Sequence, residues 1–204
     1  MSSLFFTSDL HFGDPRLDIF SRDLFFSSMD HMHKVIINNF NSELKSNDTL
    51  VIVGDVCYDS SYIDLIDQIR CDDKILIIGN YDEDKLDILN RKFSCVFKER
   101  YFQIEYGEND NFGILAAHKP VDIIKAKFKP EMSKTLELGI CGHIHSLWKV
   151  QKYPVPIVNV SVDIWNFKPV SFSRVLDQYH AIQHYYDENV FLHDYAMVYK
   201  LFYA

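Results

Sequence analysis

Five short motifs of this 204-residue chain carry side chains of the types that bind metal ions in proteins. They supply four histidines, two aspartates and one asparagine: Asp9, His11, Asp55, Asn80, His118, His143 and His145. Imidazole, carboxylate and amide groups together suit divalent transition metals. These side chains are enough to bind two metal ions if one carboxylate bridges the two ions. Sites with two neighbouring metal ions catalyse hydrolysis. The motifs therefore predict a metal-dependent hydrolase.

Two of the motifs repeat the same spacing. Asp9 and His11 are separated by one residue, and so are His143 and His145. In an extended segment, side chains at i and i+2 point to the same side, so each pair could reach one ion. Asp-x-His alone is also an ordinary polar start to a loop, whereas Gly-His-x-His is the most specific of the five motifs.

The remaining candidate ligands have ordinary structural interpretations when each is taken alone. Gly54 allows a sharp turn before Asp55, whose two oxygens could bridge two ions, but Gly-Asp is also a common turn. Asn80 could be a turn residue and His118 a structural histidine. Only the five motifs together favour a metal site.

Two other groups of ionisable residues are not expected to bind metal. His31 and His33 lie two residues apart on a predicted helix, so we expect them to face different directions and to be exposed. The acidic stretch 82–84 is expected to complement a helix N-terminus.

Most candidate ligands directly follow apolar segments that predict strands. The predicted strands cover residues 4–8, 49–53, 74–78, 93–97, 100–106, 112–117, 136–141 and 156–162. The ligands that follow them are Asp9, Asp55, Asn80, His118 and His143. In α/β sheets, binding sites form at the carboxyl ends of the strands. We therefore expect these metal-binding side chains to converge on one site.

Helical spacing of apolar residues, with N-terminal capping residues, predicts helices from Ser28, from Ser61, over 82–90 and from Ser171. Strands and helices alternate first, and a strand-rich half follows. This order predicts a single α/β domain over residues 1–204, with helices on the outer faces of two packed sheets. Residues 186–204 are predicted to be a C-terminal aromatic extension that caps the fold, forms a dimer contact or closes over the pocket.

Composition excludes several classes of protein. The net charge of −8 argues against an extended nucleic-acid surface, which needs many contacts from Lys and Arg to phosphates. The four cysteines contain no C-x-x-C pair and are interpreted as reduced, mostly buried thiols. We find no signal-peptide pattern and no apolar run of membrane-spanning length, so a cytoplasmic protein with no membrane partner is expected.

The motifs resemble those of the calcineurin-like metallophosphoesterase superfamily over roughly residues 3–175. The sequence is similar above all to small bacterial and phage members that are predicted phosphoesterases. They have a similar opening at residues 6–13 and a similar stretch at 159–166, followed by Pro169-Val170-Ser171. The resemblance implies the metallo-dependent phosphatase fold, a four-layer α/β/β/α sandwich of two mixed sheets flanked by helices.

The resemblance also implies two sets of metal ligands. The first ion would be held by Asp9, His11, Asp55 and His145. The second would be held by Asp55, Asn80, His118 and His143, with Asp55 bridging. Manganese is the favoured metal, and iron, zinc, nickel and magnesium also occur in such proteins. A hydroxide bridging the two ions would attack phosphorus in line, without a covalent enzyme intermediate.

The resemblance implies catalytic roles for Asn80, Tyr81, Asp82 and His118, but Tyr81 replaces the histidine of the family's Gly-Asn-His-Asp/Glu motif. That histidine is thought to protonate or stabilise the leaving oxygen. Tyrosine titrates at about pH 10, so it is a weaker proton donor at neutral pH. Related enzymes without this histidine often favour phosphodiesters. We therefore expect a phosphodiesterase acting on small nucleotides or cyclic nucleotides, with a general phosphomonoesterase as the alternative.

Two further alternatives are a nuclease and a catalytically weak protein-interaction scaffold. The acidic charge disfavours the nuclease, and the complete ligand set disfavours the scaffold. Arg22 could clamp a substrate phosphate bidentately, with a surface salt bridge as its ordinary alternative. We expect the partner to be a small phosphorylated substrate such as a nucleotide, and the chain to be a monomer or homodimer. If the chain is phage-encoded, the cytoplasm is that of the host.

Overall fold

The computed structural model describes residues 2–106 and 109–185, and the side chains of 103–111, 184 and 185 are not described. The predicted extension at 186–204 lies outside the described residues. The strands are β1 (Leu4–Thr7), β2 (Thr49–Val53), β3 (Asp73–Ile77), β4 (Cys95–Phe97), β5 (Glu99–Tyr106), β6 (Asn109–Ala117), β7 (Leu136–Cys141), β8 (Val150–Gln151), β9 (Ile157–Asn159) and β10 (Val170–Ser171). The α-helices are α1 (Met29–Glu43), α2 (Leu86–Lys92), α3 (Pro120–Lys127) and α4 (Phe172–Tyr185).

The strands form two mixed five-stranded sheets. The first sheet has the order β10-β1-β2-β3-β4, in which β1 to β4 are parallel and β10 is antiparallel to β1. The second has the order β5-β6-β7-β9-β8, with parallel pairs only at β6·β7 and β7·β9. Parallel strands have their carboxyl ends at the same edge of a sheet. Most candidate ligands lie in the loops that follow these carboxyl ends.

Three apolar clusters define four layers. Leu50 and Ile52 of β2 pack in the cluster that contains α1, whereas Val51 and Val53 pack in the cluster between the two sheets. This alternation is the two-residue period of a strand that is buried on both faces. A third cluster joins Ile123 of α3 to the far side of β7 and β9. The predicted α/β/β/α sandwich is therefore the observed architecture.

The helix boundaries differ in part from the prediction. Helix α1 begins where predicted, because the Ser28 hydroxyl accepts a hydrogen bond from the backbone N–H of His31 at 3.1 Å. The helix predicted from Ser61 is a 3₁₀ segment, Ser60–Gln68, and its N-cap is Asp59. Residues 82–90 divide into a 3₁₀ turn, Glu83–Lys85, and α2. The predicted long loop at 11–27 contains two short 3₁₀ turns, Leu17–Phe20 and Arg22–Leu24.

The prediction that both His31 and His33 are exposed is wrong for His33. His31 is exposed, but His33 is buried and its Nε2 accepts a hydrogen bond from the backbone N–H of Gly13 at 3.0 Å. Burial lowers the pKa of His33, which favours the neutral ring that can accept this bond. Thus His33 fixes the loop that follows His11 instead of facing solvent.

The cysteines are all free, and three of them are buried: Cys57, Cys71 and Cys141. Cys95 is exposed, so the expectation of mostly buried thiols holds with this one exception. Within the described ranges, we find no helix with the length and apolar character needed to cross a lipid bilayer.

Candidate metal centre

The loops at the carboxyl ends of four strands, β1, β2, β6 and β7, bring six of the seven candidate ligands into two groups. The first group is Asp9, His11 and His145, and the second is Asp55, His118 and His143. Within each group, one ligand atom from every residue lies within 4.8 Å of the others. Residues far apart in sequence thus form two adjacent three-ligand sets that could each hold a divalent cation.

Asp55 lies between the two groups. Its Oδ2 is 3.5 Å from Nε2 of His11 in the first group and 3.3 Å from Nε2 of His118 in its own group. Its Oδ1 instead accepts a hydrogen bond from the backbone N–H of Tyr81 at 3.0 Å. The side chain is therefore fixed with one oxygen shared by both groups, which is the arrangement of a bridging carboxylate.

Asn80, the seventh candidate, lies beside the second group. Its Oδ1 is 3.2 Å from His118 Nε2, and its side chain is exposed. The other ring nitrogen of His118, Nδ1, is 2.8 Å from the carbonyl oxygen of Val53. Because a carbonyl only accepts, Nδ1 carries the proton there and Nε2 is directed towards Asp55 and Asn80.

Five of the ligands have left-handed backbone conformations: Asp9 (φ 59°), His11 (48°), Asp55 (57°), His143 (72°) and His145 (48°). Such conformations are uncommon outside glycine, although Asp and His adopt them more readily than most residues, and they concentrate at functional sites. The prediction that Asp9/His11 and His143/His145 lie in extended segments was therefore wrong. Asp9 and His11 do share a group, but the side chains of His143 and His145 belong to different groups.

Two glycines allow the ligand loops to approach one another closely. A Cβ atom on Gly54, which has φ of +87°, would lie 2.2 Å from His118 Nδ1. A Cβ atom on Gly142 would lie 2.4 Å from the hydroxyl oxygen of Ser8. Both distances are far shorter than van der Waals contact, so any larger residue would separate the strands that carry the ligands.

Burial lowers the pKa of His11 to about 3 and that of His143 to about 4, so both rings are neutral at pH 7. Burial opposes ionisation of Asp55, but the hydrogen bond and charge of His118 outweigh it and lower the pKa of Asp55 to about 2. Burial disfavours the charged form of His118, but the hydrogen bond to Asp55 and the negative charges of Asp9 and Asp55 outweigh it and raise the pKa of His118 to about 9. A cation bound at His118 Nε2 would have to replace this proton.

The buried nitrogens of His11 test whether these residues fit a cation. His11 is 1% exposed, and neither of its ring nitrogens has a hydrogen-bond partner within the described parts of the chain. Buried polar atoms are nearly always satisfied, because leaving one without a partner costs free energy. A cation held by Asp9, His11 and His145 would satisfy Nε2. Mixed imidazole and carboxylate ligation fits a borderline transition metal, so the residues fit two such ions.

His145 is oriented by a residue that the sequence analysis did not identify. Its Nδ1 is 2.7 Å from Oδ2 of Asp163, which leaves Nε2 directed towards Asp9. The hydroxyl of Ser161 donates to the same oxygen at 3.0 Å. A carboxylate behind a metal-binding histidine fixes the ring and its tautomer. The only signal for Asp163 in the sequence was its position within the stretch 159–166.

The structure corrects the expectation that Arg22 clamps a substrate phosphate. Arg22 is 1% exposed, and its Nε and Nη2 donate to the two carboxylate oxygens of Asp163 at 2.7 and 3.0 Å. Its remaining donors bond the backbone carbonyls of Asp9 (2.5 Å) and Leu10 (3.1 Å). Arg22 is neither a surface salt bridge nor available to substrate; instead it connects the first ligand loop to Asp163.

Asp82 does lie at a helix N-terminus, because it is the N-cap residue of the 3₁₀ turn Glu83–Lys85. Its side chain, however, is fully buried and makes no capping hydrogen bond. Its Oδ2 accepts hydrogen bonds from the backbone N–H groups of Gly79 (2.7 Å) and Asp55 (2.8 Å), and its Oδ1 accepts from Val56 (3.0 Å). Asp82 thus holds two ligand loops together from behind and acts as a positioning residue.

Tyr81 forms part of the wall of the first group. Its ring is 4.9 Å from the His11 ring, edge to face, and 5.7 Å from the Tyr58 ring. Its hydroxyl oxygen accepts a hydrogen bond from Nη2 of Arg16 at 3.2 Å. Tyr81 therefore lies at the rim of the centre, between His11 and the half-buried Arg16.

Comparison with known proteins gives distant similarity. No protein-family model matches the chain. An uncharacterized protein of Methanocaldococcus jannaschii is 24% identical over 188 residues, which cover 86% of this chain and 90% of that protein. A solved protein of unknown function from Aquifex aeolicus is 24% identical, with a TM-score of 0.65 over 87% of this chain and 99% of that one.

A solved archaeal phosphodiesterase is more distant. It is 15% identical, with a TM-score of 0.43 over 77% of this chain and 82% of that one, which is too low to support a functional assignment. The similarity to the Aquifex aeolicus protein shows a shared fold, and that fold is the α/β sandwich of two mixed sheets described above.

Proposed function

We propose that this chain is a metal-dependent phosphoester hydrolase of the calcineurin-like superfamily that prefers phosphodiesters of small nucleotides or cyclic nucleotides. The observation that carries the proposal is the pairing of two three-ligand groups across Oδ2 of Asp55. Two-metal sites with a shared carboxylate are typical of enzymes that hydrolyse phosphoesters.

The ligands of the two ions follow from the two groups. Asp9, His11, Asp55 and His145 would hold one ion, and Asp55, Asn80, His118 and His143 would hold the other. When bound, two divalent cations, with Mn²⁺ as our first candidate, supply positive charge at the phosphoryl oxygens and activate water at neutral pH.

The burial of the ligands gives the centre one open side. Asp9, His11, Asp55 and His118 are buried, whereas His143 and His145 are half-buried and Asn80 is exposed. The substrate phosphate would therefore approach past Asn80 and the His143–His145 loop. Tyr81, the residue after Asn80, carries a hydroxyl group that can donate a hydrogen bond to a phosphoester oxygen.

The preference for diesters is supported by the pairing of Arg22 and Arg16, the two arginines beside the ligand loops. The buried Arg22 guanidinium bonds Asp163, and the Arg16 guanidinium is paired with Asp14 at 2.7 Å. A phosphodiester carries one negative charge, whereas a monoester carries up to two near neutral pH and needs more compensation. The ions themselves would supply most of the compensation for a diester.

The proposal is tested with bis(p-nitrophenyl) phosphate and p-nitrophenyl phosphate. Purified protein is stripped with a chelator, and Mn²⁺ or Ca²⁺ is then added back. We expect Mn²⁺ but not Ca²⁺ to restore hydrolysis, because imidazole-rich sites favour transition metals, and we expect the diester to have the higher kcat/KM. Activity that survives the chelator would contradict the metal-dependent hydrolase. A higher kcat/KM for the monoester would overturn only the diester preference.

A further inference from the structure

Arg16 forms a fixed link at the rim of the metal centre. Its Nε and Nη2 donate to the two carboxylate oxygens of Asp14 at 2.9 and 2.7 Å, and its backbone N–H donates to Asp14 Oδ1 at 3.0 Å. Its guanidinium carbon lies 4.4 Å from the centroid of the Tyr58 ring. A bidentate ion pair combined with stacking on an aromatic ring holds an arginine in one orientation, although this side chain is 35% exposed.

The fixed guanidinium determines whether the Tyr81 hydroxyl donates or accepts in its hydrogen bond with Arg16. Arginine has donors only, so the phenol oxygen of Tyr81 must accept the hydrogen bond from Arg16 Nη2 at 3.2 Å. The hydroxyl hydrogen then remains available, because in the part of the chain that the structure describes it has no acceptor of its own. Arg16 thus orients the oxygen and leaves one O–H donor for a ligand.

Tyr81 lies directly beside the metal centre. Its ring is 4.9 Å from His11, and its backbone N–H bonds the bridging residue Asp55 at 3.0 Å. Asp14, which holds Arg16, has its Oδ2 3.7 Å from His11 Nδ1. Arg16, Asp14 and Tyr81 are therefore connected to the ligand residues on both sides.

We propose that Arg16 is a positioning residue that directs the Tyr81 hydroxyl to the leaving oxygen of the substrate, an inference that rests on the proposed function. During hydrolysis, water supplies a hydroxyl group to phosphorus while the P–O bond to the leaving group breaks. The electron pair of that bond goes to the leaving oxygen, which finally takes the second proton of the water. The Tyr81 O–H hydrogen bond stabilises the negative charge that develops there, and the charge of Arg16 polarises this donor.

This arrangement predicts a dependence on the leaving group. Nitrophenolate delocalises its own charge and gains little from a hydrogen bond, whereas phenolate gains more. The experiment compares methyl p-nitrophenyl phosphate with methyl phenyl phosphate in Mn²⁺-loaded wild type, Arg16→Met, Tyr81→Phe and the double variant. For Arg16→Met we expect kcat to fall about tenfold to a hundredfold on the phenyl ester and less than about threefold on the nitrophenyl ester, with KM little changed.

The double variant shows whether Arg16 acts through Tyr81. If it does, the double variant is no slower than Tyr81→Phe alone, because effects of residues that share one function are not additive. Arg91→Met, at an exposed arginine of α2, is the matched control and is expected to leave both rates unchanged. Arg16→Lys, which keeps the positive charge but loses the planar fork that binds Asp14 bidentately, replaces Arg16→Met if the latter does not fold.

Metal content is measured for every variant by mass spectrometry and should equal that of wild type. Equal losses on the two esters, additive losses in the double variant, or loss of metal from Arg16→Met would overturn the role of Arg16 while wild type remains active. Absence of Mn²⁺-dependent hydrolysis in wild type would instead overturn the proposed function, and this inference with it.

Discussion

Replacing Asp55 with asparagine is expected to lower kcat/KM for bis(p-nitrophenyl) phosphate on the order of 10³-fold. The amide oxygen can keep the hydrogen bond that Oδ1 accepts from the Tyr81 backbone, so the fold of the loop should survive. The amide NH₂ group then takes the place of Oδ2, which faces Nε2 of both His11 and His118. A neutral donor group cannot bridge two cations. Steady-state kinetics and metal analysis measure the effect.

The matched control is Asp72→Asn, which removes an exposed carboxylate just before β3, at the end of that strand opposite the ligand loops. It should leave kcat/KM and metal content within experimental error of wild type. An Asp55→Asn variant that binds two ions and retains at least a tenth of the wild-type kcat/KM would show that Asp55 is not the bridge.

Replacing Arg22 with methionine is expected to lower the free energy of unfolding by about 3–5 kcal/mol. The Asp163 carboxylate is almost fully buried and would lose its cationic partner, and the backbone carbonyls of Asp9 and Leu10 would lose their donors. Removing one member of a buried ion pair leaves the other charge without compensation. Thermal unfolding should show a decrease in Tm of about 10 °C.

The surface ion pair between Lys168 and Glu43 provides the control. Its N···O distance is also 2.7 Å, but the two side chains are 42% and 39% exposed. Lys168→Met should therefore cost less than about 1 kcal/mol, because solvent screens exposed pairs. The double variant Arg22→Met/Asp163→Asn should lose less than the sum of its single changes. Equal losses in Arg22→Met and Lys168→Met would contradict the structural role of Arg22.

The parts of the fold that depend on local pattern could be predicted from the sequence. The apolar segments 49–53 and 136–141 coincide with β2 and β7, because strands buried on both faces have continuous apolar sequences. The convergence of the ligands followed from their positions after such strands. Helix α3 was not predicted; it is only eight residues long and follows directly on His118-Lys119.

The parts that depend on tertiary contacts could not be predicted. His33 is buried because the loop at Gly13 packs over it, and nothing in the helical spacing indicates that contact. Arg22 bonds Asp163, a residue 141 positions away, so neither its burial nor its role could be inferred from neighbouring residues. The left-handed backbone of His143 and His145 separates two side chains that an extended segment would place together.

The most direct test of the central claim is a crystal structure of the Mn²⁺-loaded protein with anomalous scattering recorded at the manganese edge. We predict two anomalous peaks on either side of Asp55 Oδ2. One peak should lie among Asp9, His11 and His145, and the other should lie between His118 and His143. A single peak, or two peaks at other residues, would contradict a two-metal centre bridged by Asp55.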